Sequence, residues 1–259
     1  MHEIVQHIAS DHIDRTLLKE AYIFHSSGYN RSAKDLAAVL PSQNTLTNEQ
    51  VRMLQKTEHV FGGELLSPPQ QGLASTNRLP SAPSFSDGPA LPINDLLSAL
   101  SSAFGESPAP PFTRPYPSGG AMYSGQVTVF AKQVSELAVG TYHYLPKQQR
   151  LERLNARPQA EIEKHLFLAP AENLNGYSFF VLYSILPIRP IAKYGMRGYL
   201  MACAEVGSMY QSLIQQTERL GLRSRVWGGF ADEALSISMG VDPRAAWPVF
   251  CHLVGRGTS

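Results

Sequence analysis

The sequence has little cysteine, little charge imbalance and no long apolar run, and each shortage excludes a class of protein. Only Cys203 and Cys251 are present, with no CxxC pair and no metal-ligand spacing. Two free thiols are therefore expected, one on a helix and one on a buried strand. The 8 histidines are scattered singly, without HExxH or an equivalent pair, so no metal site is implied. The longest apolar run is Phe179 to Tyr183, followed by Ser184, Ile185 and Leu186. It is far short of the ~20 residues of a membrane-spanning helix and reads as a buried strand. Lys and Arg number 22 against 21 Asp and Glu, and no stretch mixes clustered basic residues with aromatics, so nucleic acid is not an expected partner. The first residues, MHEIVQHIASDHIDRT, carry acidic groups and no apolar h-region, which makes the cytoplasm the expected location and a membrane an unexpected one.

What is present is enough for one sizeable core, or one core and a small appendage: 259 residues, 43% of them hydrophobic. Residues 1–66 read as a helical, polar-faced N-terminal region, with Leu17, Leu18, Ile23 and Phe24, then Leu36, Val39 and Leu40 before Pro41. Residues 67–91 form a Pro/Ser-rich connector, either draped over the main domain or dangling from it. The main domain spans 92–259. It opens with a helix signalled by Ile93, Leu96, Leu97, Leu100 and Phe104 and stopped at Gly105. A strand over Gln126–Phe130, a hairpin over Tyr142–Leu154 and the apolar strand near 178–186 follow. The longest helix runs from about Arg197 to Leu220, with Leu200, Cys203, Gly207, Tyr210, Ile214, Thr217 and Leu220 on one stripe and Gly221 as its stop. Its small residues, Ala202, Cys203, Ala204, Gly207 and Ser208, suit a core or dimer helix. A strand at 223–227, a short helix from Asp232 to Met239 and a strand from Val249 to Val254 complete an α+β layout.

Two glycine pairs stand out. Pro117, Ser118, Gly119 and Gly120 sit in a rigid loop feeding a strand. A backbone without Cβ atoms there suits either a plain turn or a cradle for a flat or anionic ligand. Trp227, Gly228, Gly229 and Phe230 end another strand and read as a strand-to-helix turn.

Five segments occur in order: RPYPSGGAMY, TYHYLP, KYGMRGYLMACAEVGSMYQ, GLRSRVWGGF and VFCHLVGRG. Together they resemble the nitroreductase-fold flavoproteins, in their azoline dehydrogenase branch, and most of all the dehydrogenase subunit of microcin-type synthetases, which install thiazoles and oxazoles in ribosomal peptides. The resemblance is specific over about 92–257. It implies a nitroreductase-like FMN-binding fold with an antiparallel-rich central sheet flanked by helices, and FMN held at the interface of a homodimer. Pro117, Ser118, Gly119 and Gly120 are implied to line the flavin ring, with Gly228 and Gly229 against its reactive side. Arg225 and Arg256 become candidate phosphate ligands, Arg256 alternatively being a solvated surface residue. Arg114 either pairs with the phosphate or stabilises the loop. Tyr123 is followed by Ser124 where relatives often have proline, which loosens the strand entry.

The resemblance also implies the chemistry. Lys193 and Tyr194, placed by sequence just past a Pro187–Pro190 turn, match the family's catalytic pair. Tyr194 takes the α-proton of the azoline, and the adjacent Lys193 ammonium favours its phenolate form. Tyr199 is the next candidate base. O2 is the expected acceptor for the reduced flavin. The implied partners are a precursor peptide bearing azolines, a YcaO-type cyclodehydratase and a ubiquitin-activating-like subunit. A free-standing NAD(P)H-dependent nitro- or quinone reductase is the alternative reading on the same fold. A flavin-free structural subunit is a third.

Overall fold

The computed structural model describes residues 15–35, 47–56 and 78–257. The expected helical residues Leu36, Val39 and Leu40 and the first part of the connector lie outside them. In chain order the elements are α1 (Arg15–Ser26), α2 (Asn48–Lys56), α3 (Ile93–Phe104), β1 (Gly125–Ala131), β2 (Gly140–Leu145), β3 (Arg150–Arg153), α4 (Gln159–Leu166), β4 (Tyr177–Ile185), α5 (Ile188–Tyr194), α6 (Met196–Arg219), β5 (Arg223–Trp227), α7 (Asp232–Ser238) and β6 (Trp247–Gly255). The six strands form one sheet in the order β3-β2-β1-β4-β6-β5, and every pairing is antiparallel.

β4 lies between β1 and β6, and all its residues are buried. Its side chains alternate between the faces: Phe179, Val181, Tyr183 and Ile185 enter one core, Phe180 and Leu182 the other. Each such burial is worth about 1.5–3 kcal/mol, which explains why the apolar run reads as a strand covered on both faces. The first core gathers Leu96, Leu100 and Phe104 of α3 with Val206, Met209 and Leu213 of α6. The second gathers Ile162 and Leu166 of α4 with Leu235 of α7.

The long helix lies where its pattern predicts, and Ile214 and Thr217 of the expected stripe are buried, but the first half of the stripe is turned. Tyr199, Ala202, Val206, Met209 and Leu213 face the core, whereas Leu200 is 56% exposed and Cys203 and Gly207 are only half-buried. The helix accommodates an acidic residue on its inner face, Glu205, and so leaves an apolar one outside. Both cysteines are free.

Helix α1 joins the first core through Ala21, with Leu17, Leu18 and Tyr22 packed beside it; Ile23 and Phe24 face outward. Its last turn is clasped by His25. The Pro248 carbonyl can only accept, so His25 Nε2 donates to it at 2.8 Å and Nδ1 accepts from the Tyr199 hydroxyl at 2.9 Å. Burial pushes His25 below the usual histidine range. The described part of the connector, residues 78–91, is draped over the domain. Ala82 N donates to Ser224 O, Phe85 N to Asn173 O and Ser86 N to Arg256 O. Among the described residues no helix is long and apolar enough to cross a membrane.

The segment after α1 is fastened to α7 by a reciprocal pair: Asn30 N donates to Asp232 Oδ2 at 2.7 Å, and Asp232 N to Asn30 O at 3.1 Å. Burial raises the Asp232 carboxyl from 3.8 to about 7. Between those values the folded chain holds a proton that the unfolded chain releases, so this group's contribution to stability is lost as pH rises from about 4 to about 7. Asp232→Asn keeps an acceptor for Asn30 N and cannot ionise. The stability of the variant relative to wild type is expected to increase across that window, measured by urea unfolding at about pH 4.5 and about pH 7.5. A constant difference between the two proteins refutes the assignment.

Candidate active site

Sheet register brings two loops to one end of the domain and aims a third toward it. Gly125 at the start of β1 lies opposite Ile185 at the end of β4, and Ile185 lies opposite Trp247 at the start of β6. β5 runs against β6 and ends at Trp227, opposite Cys251. The Ser118–Gly120 loop and the turn from β4 into α5 therefore leave this end, and the Trp227–Phe230 loop leaves β5 in the same direction from the middle of β6.

The loop before β1 is built on strained backbone. Gly120 has φ 62, and the non-glycine residues Ala121 and Tyr123 have φ 55 and 43. The loop is held from below by Glu205, which is 3% exposed. Ser118 Oγ donates to Glu205 Oε2 at 2.5 Å and accepts from Tyr123 N at 2.8 Å. Ser124 Oγ donates to Oε2 at 3.3 Å, and Gly125 N donates to Oε1 at 2.8 Å. Arg189 Nη1 donates to Tyr123 O at 2.7 Å. Burial lowers the pKa of Arg189, and the Arg114 charge adds to that effect.

Lys193 and Tyr194 come to this loop from α5. They occupy the last turn of a helix, in place of the expected turn-and-loop: Pro190 falls at the third helical position, where its missing N–H would have had no intrahelical partner. Lys193 Nζ donates to Gly120 O at 3.3 Å and lies 5.2 Å from the centre of the Tyr194 ring. A Cβ on Gly120 would overlap the Tyr194 hydroxyl, so the bare backbone is what lets the phenol approach. Gly119 lies against Met201 of α6, and Pro117 is exposed beside it.

The other candidates are distributed differently. Arg114 is turned into the loop: Nη1 donates to Tyr116 Oη at 3.0 Å, Nη2 is 3.7 Å from Glu106, and the guanidinium stacks 4.5 Å from the Tyr123 ring. Gly228 is exposed and its carbonyl accepts from Asn30 Nδ2 at 2.9 Å; Gly229 packs against the Trp227 ring. Arg225 donates to Ala82 O of the connector at 3.1 Å. Arg256 is exposed just past β6, against Gly88. β6 carries the chain from Trp247 to Gly255, about 27 Å, so Arg256 stands at the opposite end of the sheet from its own chain's glycine loop. Tyr199 is buried, its hydroxyl donates to His25, and burial pushes its pKa upward. Among the described residues no cluster of His, Cys, Asp and Glu could hold a metal ion.

Sequence reasoning missed Glu205, Asn30 and Arg189. Glu205 left one signal: it is the only charged residue between Arg197 and Glu218 on the long helix. Asn30 and Arg189 left none, because each acts through contacts to distant residues.

No family model matches the chain. It is 34% identical over 187 residues to the microcin B17-processing protein McbC of Escherichia coli, covering 70% of this chain and 68% of that one. The chain belongs to the McbC family. Its structure matches a chain of the E. coli microcin synthetase McbBCD complex with truncated pro-MccB17 bound, at TM-score 0.79 and 28% identity over 97% of each chain. Crystal structures described as nitroreductases from Anabaena variabilis and Ralstonia eutropha match at TM-scores 0.58 and 0.57. They are 20% and 19% identical over 69% and 75% of this chain, and over 36% and 89% of theirs. These last two speak for the fold, which is nitroreductase-like: a central antiparallel sheet flanked by helices.

Glu205→Ala strands two hydroxyls and one N–H in a dry site, and is expected to destabilise the protein by about 3 kcal/mol. Ser118→Ala should then cost less in that background than in wild type, because its hydroxyl has already lost its acceptor. Denaturant unfolding of the four proteins in a double-mutant cycle checks this; strictly additive costs refute the clamp.

Proposed function

We propose that this McbC-family chain is an FMN-dependent dehydrogenase that oxidises thiazolines and oxazolines of a ribosomally made peptide to thiazoles and oxazoles. The observation that carries the reading is the meeting of Lys193 and Tyr194 with the bare Gly120 backbone, in a chain 34% identical to a microcin-processing protein. The likeness to a chain of a synthetase solved with its pro-peptide supports a peptide substrate and a multi-subunit setting. The implied partners are a YcaO-type cyclodehydratase and a ubiquitin-activating-like subunit. The likeness to free-standing reductases is confined to the fold.

The residues fit a flavin. A Cβ on Gly119 or Gly120 would meet Met201 or Tyr194, so the two bare positions let both side chains close on the loop that the ring would lie against. Two polar atoms at the loops, Arg114 Nε and Asn30 Oδ1, are buried without a partner among the described residues. Pro117, Ser118, Gly119 and Gly120 would hold the ring from one side, and Gly228 and Gly229 from the other. Arg225 and Arg256 would meet the phosphate. Because β6 sets Arg256 at the far end of its own sheet, a homodimer supports the reading best, with each site built from two copies. The outward face of α6, with Leu200, Ala204 and Gly207, supplies a close-packing surface for it.

FMN supplies the two-electron acceptor when bound. The chain's own residues do the rest. Tyr194 Oη takes the α-proton of the azoline, and the Lys193 ammonium lies beside its ring. The Glu205 clamp fixes the loop against which both side chains are aimed. Loss of one proton and one hydride leaves an aromatic ring two hydrogens lighter.

The purified protein is expected to release one FMN per chain on heating; release of FAD, or no flavin after reconstitution, sinks the cofactor assignment. Tyr194→Phe and Lys193→Ala are each expected to keep FMN while slowing azole formation by about 10²–10⁴. Unoxidised rings then appear in the peptide mass as about 2 Da retained per ring. Normal azole yield from both variants at matched flavin loading removes the pair from the mechanism. Light scattering is expected to give twice the chain mass, and a flavin-loaded monomer would exclude the two-copy site.

A further inference from the structure

A cleft adjoins the candidate site. Its volume is about 640 Å³, and it lies between α1, the turn from β4 into α5, and the Asp242–Trp247 loop. Leu18, Tyr22, Ile188 and Trp247 give it apolar walls, and Arg15, Lys19 and Arg244 supply its cations. The described carboxylate in its lining, Asp242, is engaged by Arg244 through two contacts of 3.0 Å. No ion pair to Arg15 or Lys19 forms among the described residues, and both are exposed. The cleft thus pairs an apolar floor with positive charge, on Arg15 and Lys19, that no described carboxylate pairs.

We propose that this cleft binds an extended acidic peptide segment, with apolar side chains on the floor and carboxylates on Arg15 and Lys19. Its place in the fold argues for substrate. Ile188 and Arg189 line the cleft at one end of α5, and Lys193 and Tyr194 stand at the other. Arg189 is a shared wall, since it also donates to Tyr123 O of the glycine loop. Seven helical residues span about 10 Å, the reach of about three residues of extended peptide. A segment lying in the cleft therefore begins about three residues from a ring held at Tyr194. The assignment to substrate rests on the peptide-oxidising reading; the assignment of an acidic, apolar ligand rests on the cleft alone.

The test uses two fluorescein-labelled ten-residue peptides, one alternating leucine with aspartate and one alternating leucine with lysine, titrated into the full chain by anisotropy. The aspartate peptide is expected to bind at least about tenfold more tightly, and the Arg15→Glu, Lys19→Glu double variant to lose about tenfold for it. That variant should keep its flavin and its turnover of a single-ring azoline too short to reach the cleft. Equal binding of the two peptides, or binding indifferent to the charge reversal, overturns the proposal. The full chain carrying a photo-crosslinker at position 19 also tests the rival occupant, residues 1–14, which contain Glu3, Asp11 and Asp14 among Ile4, Val5, Ile8 and Ile13. A crosslink into that segment assigns the cleft to the chain's own start and overturns the proposal. If the short azoline is not oxidised by wild type while selective peptide binding persists, the enzymatic reading fails and the cleft assignment stands.

Discussion

A single buried carboxylate fixes the geometry on which everything else at this end of the molecule depends. Glu205 sits on the inner face of a helix otherwise lined with small and apolar residues, and no ion pair meets it among the described residues. Its charge is satisfied by two hydroxyls and a backbone N–H, all from the loop ahead of β1. Dipoles of this kind stabilise a buried anion only where they are rigidly held. The dependence is therefore mutual: the carboxylate holds positive-φ residues in place, and the loop makes burial of the carboxylate tolerable.

The remaining fastenings follow the same economy of material. His25 bridges α1 to α6 and β6 with one ring, using both nitrogens. Asn30 reaches Asp232 through its backbone and Gly228 through its side chain, tying the Trp227–Phe230 loop to the segment after α1. The connector is fixed mainly through backbone atoms, at the outer edge of β5 and beyond the end of β6. Segments that look peripheral in sequence thereby brace the sheet and, through Asn30, the Trp227–Phe230 loop.

Legibility in the sequence tracks the range of the interaction. Helix α3, the hairpin of β2 and β3, and the buried strand β4 were readable because local periodicity reports their burial. The face of α6 was misjudged because Leu200 points outward and Glu205 inward, an inversion that only partners 80 or more residues away explain. The helical placement of Lys193 and Tyr194 was hidden by two prolines that look like a turn, although Pro190 costs nothing at a position with no N–H partner. The ordering of residues 78–91 left no periodic signature, since bonds made by backbone atoms place no demand on side-chain type. The five ordered segments identified the family and the McbC-like likeness bears that out; the individual roles of the site residues rest on geometry and on the experiments above.

The corner between α5 and α6 carries a further consequence. One residue separates the helices, Gly195, with φ 56 and ψ −145, a conformation that residues with a Cβ scarcely adopt. The phenol and ammonium are thus carried on a rigid bracket anchored in the main core. The outer surface of α6, including the exposed Leu200 and Ala204, follows that bracket in the chain. Substitutions there would alter how two copies meet without moving the phenol and the ammonium within their own chain, so a failed assembly would leave the reactive pair intact and its site incomplete.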